Sequence, residues 1–263
     1  MYAELLAVKL FIAVAVVVVL AVIAEHISPK LAGLISGLPT GSLITLFFIG
    51  LDNGALFASN TAIYNMIGII AMQAVLFFYY AASARFEKHA LLYSAACSVV
   101  GYLGVASLLQ FVPSDAILAV LLPLASIPLF IYLFRKIEYR KVEKKVKLSV
   151  QVLFWRALAA GLLILAVIEI ASFVGPKWAG LLTAFPNTTF PLILIVHYTY
   201  GAKPVHAIIK AFPTGLASLI AYSLAVSVTY PLFGIYWGTA AAFTVAMAVF
   251  AVIYLFNARR ERP

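Results

Sequence analysis

The chain has 263 residues, 65% of them hydrophobic and 10% charged, with a net charge of +9 and a mean hydropathy of +1.10. A soluble domain carries about 25% charged residues, so this composition excludes one and makes lipid the solvent for most side chains. The positive charge sits in short loops, as a topology signal does and a nucleic-acid surface does not.

A stretch of about 20 apolar residues crosses the hydrocarbon core. Nine such stretches are expected, at 4–25, 31–51, 62–82, 90–112, 115–134, 150–173, 178–198, 205–228 and 233–256. The first lacks a basic leader and has Glu4 before its apolar run, so it reads as a membrane helix rather than a cleavable signal. The second and seventh carry a proline and several hydroxyl residues near the middle, which predicts broken helices. The fourth holds Cys97, the single cysteine, which excludes a disulfide framework and reads as a small buried hydrophobe. Lys210 precedes Pro213-Thr214 in the eighth, a third candidate break.

Basic residues orient the spans. The run from Arg135 to Lys147 holds seven of the eighteen Lys and Arg. With that loop cytoplasmic, Lys30, Arg85, Lys88, Lys203, Arg259, Arg260 and Arg262 fall on the same side, and only Lys177 falls opposite. The expected arrangement has the N-terminus outside and the C-terminus in the cytoplasm of a multi-pass inner-membrane protein.

One segment occurs twice. Pro29-Lys-Leu-Ala-Gly-Leu-Ile-Ser-Gly-Leu-Pro39 and Pro176-Lys-Trp-Ala-Gly-Leu-Leu-Thr-Ala-Phe-Pro186 match at six of eleven positions, at an offset of 147 residues. Corresponding spans are five apart, an odd number, so the second copy is upside down relative to the first. The expected fold is all-α, in a 4+1+4 inverted repeat. Residues 1–112 form the first four-helix repeat, 113–148 a linker helix and basic loop, and 149–263 the second repeat.

The chemistry centres on the two repeated breaks. A mid-membrane proline frees backbone groups that need partners in protein or in a water-lined cavity. Helices restarting after Pro39 and Pro186 present N–H groups and partial positive charge. Thr40, Ser42, Asn187, Thr188 and Thr189 add side-chain hydrogen bonds. The competing reading is a pair of packing kinks with hydroxyls bonded to their own helix.

Ionisable residues inside spans are costly unless paired or hydrated. Lys9 and Arg156 stand 147 apart, and each either snorkels or pairs. Glu169 lies deep in the sixth span and is the candidate for ion coupling. Arg156 and Lys210 beside helix N-termini lean toward an anionic or carboxylate-bearing solute. His197 and His206 read as interfacial residues beside a loop, and Asn65 and Gln73 either line a cavity or bond between helices. No P-loop, GxSxG or metal-ligand spacing occurs, so no enzyme activity and no cofactor or metal are expected.

Around Lys177-Trp-Ala-Gly-Leu-Leu-Thr-Ala-Phe-Pro186 and the following Ile195-Val-His-Tyr-Thr-Tyr-Gly201, the chain resembles the GlpM family of small bacterial inner-membrane proteins. Ala179, Gly180, Leu181, Phe185, Pro186, His197, Tyr198 and Gly201 match, and Asn187 replaces a Thr. The first copy keeps Ala32, Gly33, Leu34, Pro39, Thr40 and Gly54 but lacks the Phe and the His-Tyr. The resemblance covers about 25 residues per copy and implies two such units fused in opposite orientation. That plan is similar to the drug/metabolite transporter superfamily.

The function these readings imply is secondary transport of a small solute by alternating access, with the lipid bilayer as surroundings and no nucleic-acid partner. The alternative is a non-transporting scaffold in envelope or lipid biosynthesis. The sequence leaves a homodimer open.

Overall fold

Helices make up the whole of the described architecture. The computed structural model describes residues 2–25, 38–137 and 150–259. The expectations for 26–37, for the basic loop from Glu138 onward and for the tail after Arg259 lie outside the described residues. The elements are α1 (Tyr2–Glu25), α2 (Thr40–Asn53), α3 (Ala55–Arg85), α4 (Ala90–Leu109), α5 (Ala116–Phe134), α6 (Val150–Thr183), α7 (Thr189–Tyr200), α8 (Ala202–Ala211), a 3-10 turn (Phe212–Gly215) and α9 (Leu216–Arg259). No strand occurs among the described residues.

Five stretches are long and apolar enough to cross a membrane: Ala55–Arg85, Ala90–Leu109, Ala116–Phe134, Leu153–Thr183 and Ala202–Leu255. Two shorter apolar stretches, Leu6–Val19 and Thr189–Tyr200, accompany them. Among the described residues five stretches thus qualify rather than the nine expected: Gly234 lies inside a run that takes in two of the expected spans, the first and seventh are represented by the shorter stretches, and the second lies partly outside the described residues. Gly175 (φ 73°, ψ 170°) interrupts α6, and Gly234 (φ 72°, ψ 179°) interrupts α9. This region of backbone space is nearly closed to residues with a Cβ. The chain reverses at Gly234. The Tyr230 hydroxyl lies 2.7 Å from Thr239 Oγ1, and Thr229 Oγ1 donates to the Gly238 carbonyl at 3.0 Å. A straight helix would hold residues nine apart at about 13 Å.

Gly54 and Gly201 take the same conformation (φ 90°, ψ 161° and φ 81°, ψ −176°). Each ends a helix by donating its N–H four residues back, to Gly50 and His197. They stand 147 apart, the offset of the sequence repeat.

α3 is the hub, packing against α2, α4, α5, α6 and α9. Several of its polar residues bond to neighbouring helices. The Asn65 side-chain amide donates to Ser42 Oγ of α2 at 3.3 Å, and its oxygen accepts from Ser223 Oγ of α9 at 2.8 Å. Gln73 donates to Ser126 Oγ of α5 at 2.7 Å. Ser59 Oγ donates to the Ser227 carbonyl at 2.6 Å. Of the two sequence readings for Asn65 and Gln73, the bond between helices is what the fold uses. The Tyr102 hydroxyl of α4 donates to the Leu181 carbonyl of α6.

Large apolar side chains cover the outside. Leu92, Leu108, Ile117, Leu232 and Trp237 are all exposed, a surface suited to lipid rather than water. Cys97 belongs to this surface. The sequence reading of a buried cysteine fails because the outward faces of α4 are as apolar as its inward one. α6 crosses α3 where Gly180 meets Thr61 and Asn65, a close approach that only small residues permit.

A Cβ at Gly180 would collide with the backbone of Thr61 and Asn65, whereas one at Gly104 meets nothing within 4 Å. Gly180→Ala is expected to destabilise by about 1–3 kcal/mol, and Gly104→Ala to be neutral or slightly stabilising. Thermal melting of the purified protein in detergent measures both. Equal melting temperatures for the two variants would contradict the close crossing.

Candidate functional site

The two breaks are built alike. After Leu38 the chain makes a tight turn at Pro39, with Thr40 N–H donating to the Leu38 carbonyl (2.8 Å) and Leu43 N–H to the Pro39 carbonyl (2.6 Å). After Phe185 it repeats the turn at Pro186, with Asn187 N–H donating to the Phe185 carbonyl (2.6 Å) and Phe190 N–H to the Pro186 carbonyl (2.7 Å). These four bonds match pairwise at the 147-residue offset. α2 and α7 start from them, and neither has a side-chain cap. Pro191 falls in the first turn of α7, where its missing N–H breaks no helical bond.

The turns leave four backbone amides over. Gly41 and Ser42 in one copy, and Thr188 and Thr189 in the other, have no acceptor for their N–H among the described residues. All four residues line one cavity, together with Leu38, Pro39, Pro186 and Asn187. The turns touch there: a Cβ placed on Gly41 would lie 3.7 Å from Asn187 Cβ. Met72 of α3, Phe185, Phe212 of the 3-10 turn, and Leu216 and Leu219 of α9 close the cavity with apolar side chains. The space between these walls is about 20 Å³, roughly enough for one water.

Asn187 is the decisive side chain. It is 2% exposed, and neither its amide nitrogen nor its oxygen has a hydrogen-bond partner. An unpaired buried polar group costs about 1–3 kcal/mol, and Asn187 leaves a donor and an acceptor unpaired together. Ser42, by contrast, is held in place by Asn65, which is held in turn by Ser223.

Of the sequence-predicted residues, the cavity gathers Pro39, Ser42, Pro186, Asn187, Thr188 and Thr189. Thr40 flanks it at the start of α2. Arg156 and Lys210 do not line it. Lys210 Nζ donates to the Ile137 carbonyl beyond the end of α5 at 2.6 Å. The third break exists as the 3-10 turn, and it supplies Phe212 to the cavity wall.

Glu169 stands in a separate ion cluster. Lys9 Nζ, 97% buried at its side chain, donates to Asp52 Oδ2 at 2.6 Å and to Glu169 Oε1 at 3.0 Å. One ammonium on α1 thus ties the end of α2 to α6. Lys9 pairs rather than snorkels. Asp52 is the member that the sequence reading missed. It lies at the end of a span, and only the fold brings it to Lys9. His197 and His206 each have a hydrogen-bond partner on α3. His197 Nδ1 shares a hydrogen bond with the Tyr79 hydroxyl (2.8 Å), and His206 Nε2 shares one with Ser83 Oγ (2.7 Å). No group of three or more His, Cys, Asp or Glu suited to a metal occurs among the described residues.

No family model, no curated protein and no solved structure matches the chain.

The cluster is expected to respond unequally to its members' removal. Lys9→Met removes the buried ammonium that Asp52 and Glu169 share and is expected to cost about 3 kcal/mol. Asp52→Asn keeps the Lys9–Glu169 pair and is expected to cost about 1 kcal/mol or less. Melting temperatures in detergent rank the two, and an equal or reversed ranking contradicts the shared-ammonium arrangement.

Proposed function

We propose that the protein is a secondary transporter that binds a small solute between its two broken helices and exposes it to each side of the membrane in turn. The carrying observation is one cavity that both breaks line, formed by four residues whose backbone amides have no acceptor among the described residues and by the unpaired Asn187 side chain. Backbone groups left unpaired at membrane depth mark substrate sites in transporters of this plan. The amides favour an anionic or carboxylate-bearing solute. They take over the role that Arg156 and Lys210 were expected to play.

The same reading takes the chain as nine spans in a 4+1+4 inverted repeat, two GlpM-like units fused through α5, with the N-terminus outside and the C-terminus cytoplasmic. Its support is the matched turns at Pro39 and Pro186, the matched glycines at 54 and 201, and the reversal at Gly234 that divides α9. The Lys9–Asp52–Glu169 cluster is the coupling element of this reading. Asp52 and Glu169 share the Lys9 ammonium, and Asp52 lies on the helix whose other end forms the cavity.

A scaffold without transport is the second reading, and the narrowness of the cavity favours it. Accessibility separates the two. In a Cys97→Ala background, Thr188→Cys in proteoliposomes is expected to react with a charged, membrane-impermeant maleimide added to one side. Inertness to the reagent from both sides, with the unfolded protein as the reactive control, would favour the scaffold. Replacing Pro186 together with Thr188 and Thr189 by apolar residues is expected to abolish uptake of labelled small carboxylates while leaving the melting temperature within a few degrees. Unchanged uptake removes the site assignment.

A further inference from the structure

The cavity specifies more than negative charge. Its four free backbone amides, on Gly41, Ser42, Thr188 and Thr189, are donors only, and they converge from two helix starts. They suit the two oxygens of a carboxylate. Asn187 differs from them because it presents a donor and an acceptor, both unpaired and both buried. A bare carboxylate satisfies the Asn187 nitrogen and leaves the Asn187 oxygen without a partner. A ligand that carries a hydrogen-bond donor next to its carboxylate satisfies the full set of groups.

The walls decide which donor. Among the described residues no acidic side chain lines the cavity. A ligand ammonium there would be buried without a counter-charge of the protein's own, an arrangement with a large desolvation cost. A hydroxyl carries no such cost and donates one bond, which is what the Asn187 oxygen lacks. The remaining walls, Met72, Phe185, Phe212, Leu216 and Leu219, are apolar and suit a short hydrocarbon substituent.

We infer that the solute class is a small 2-hydroxy monocarboxylate, its carboxylate on the four amides and its hydroxyl donating to Asn187 Oδ1. This rests on the cavity being a solute site, and it adds the identity of the recognised group. The space of about 20 Å³ holds roughly one water as described, so the walls part when the solute enters. The unequal breaks fix its orientation, because the position equivalent to Asn187 is Thr40, which does not line the cavity.

The test is binding to the purified full chain in detergent, followed by thermal shift and calorimetry. The probes are lactate and 2-hydroxybutyrate, their matched acids propionate and butyrate, and alanine. Lactate is expected to bind at least about tenfold more tightly than propionate, the effect of pairing an otherwise orphaned buried acceptor, and alanine to bind more weakly than lactate. Asn187→Ala is expected to reduce this preference to within about twofold. Asn187→Ser, which keeps a hydroxyl acceptor, should retain part of it. Because the ligand comparison uses the unaltered chain, it does not depend on a variant folding. Equal binding of lactate and propionate would overturn the hydroxyl assignment and leave a carboxylate site standing. Tighter binding of alanine would overturn it in favour of an amino acid. If none of the five binds, the cavity holds water only, and the inference fails together with the solute site beneath it.

Discussion

Within hydrocarbon, every backbone N–H and C=O needs a partner from protein or from enclosed water. Continuous helices meet this requirement by themselves, and most of the chain does so. The turns at Pro39 and Pro186 do not. Each closes two hydrogen bonds locally and then starts a helix with no capping side chain. The remaining amides converge from two distant parts of the sequence, so the exception to the rule occupies one place. The rest of the fold supports that place. α3 runs behind it, Asn65 fixes Ser42, and the glycine turns set the lengths of the helices that reach it.

The turns were legible in the sequence because proline acts locally. Its fixed φ and missing N–H determine what the backbone does at Pro39 and Pro186 without reference to any neighbour. Their convergence was legible only through the repeat, since equal elements in opposite halves tend to meet on a shared axis. Charged residues behaved differently. Position within an apolar run says that a charge is buried but not which helix face carries it. Lys9, Asp52 and Glu169 come from three helices and meet by packing alone. Arg156 and Lys210 looked close to the site along the chain and lie away from the cavity, because their helix faces turn elsewhere. Cys97 illustrates the same limit from the apolar side. In lipid, both faces of α4 are hydrophobic, so hydropathy carries no sign of inside and outside.

Matched backbone and unmatched side chains give the site its character. Hydrogen bonds recur at the fixed offset, yet Thr40 stands opposite Asn187, and the ion cluster around Lys9 has no like partner, since Val22 occupies the position equivalent to Glu169. The matched turns at Pro39 and Pro186 provide two helix starts on one cavity. Divergence at a few side chains then makes one of them specific.

The hub position of α3 bears on how the protein is made. Asn65 is buried within α3, and its oxygen is satisfied by Ser223, 158 residues later in the chain. Gln73 finds its partner sooner, on α5. During synthesis α3 therefore precedes α9, with the Asn65 oxygen still lacking the partner that α9 brings. Truncations that remove the end of the chain thereby strand a helix near its beginning, and quality-control proteases would meet the defect at α3 rather than at the cut.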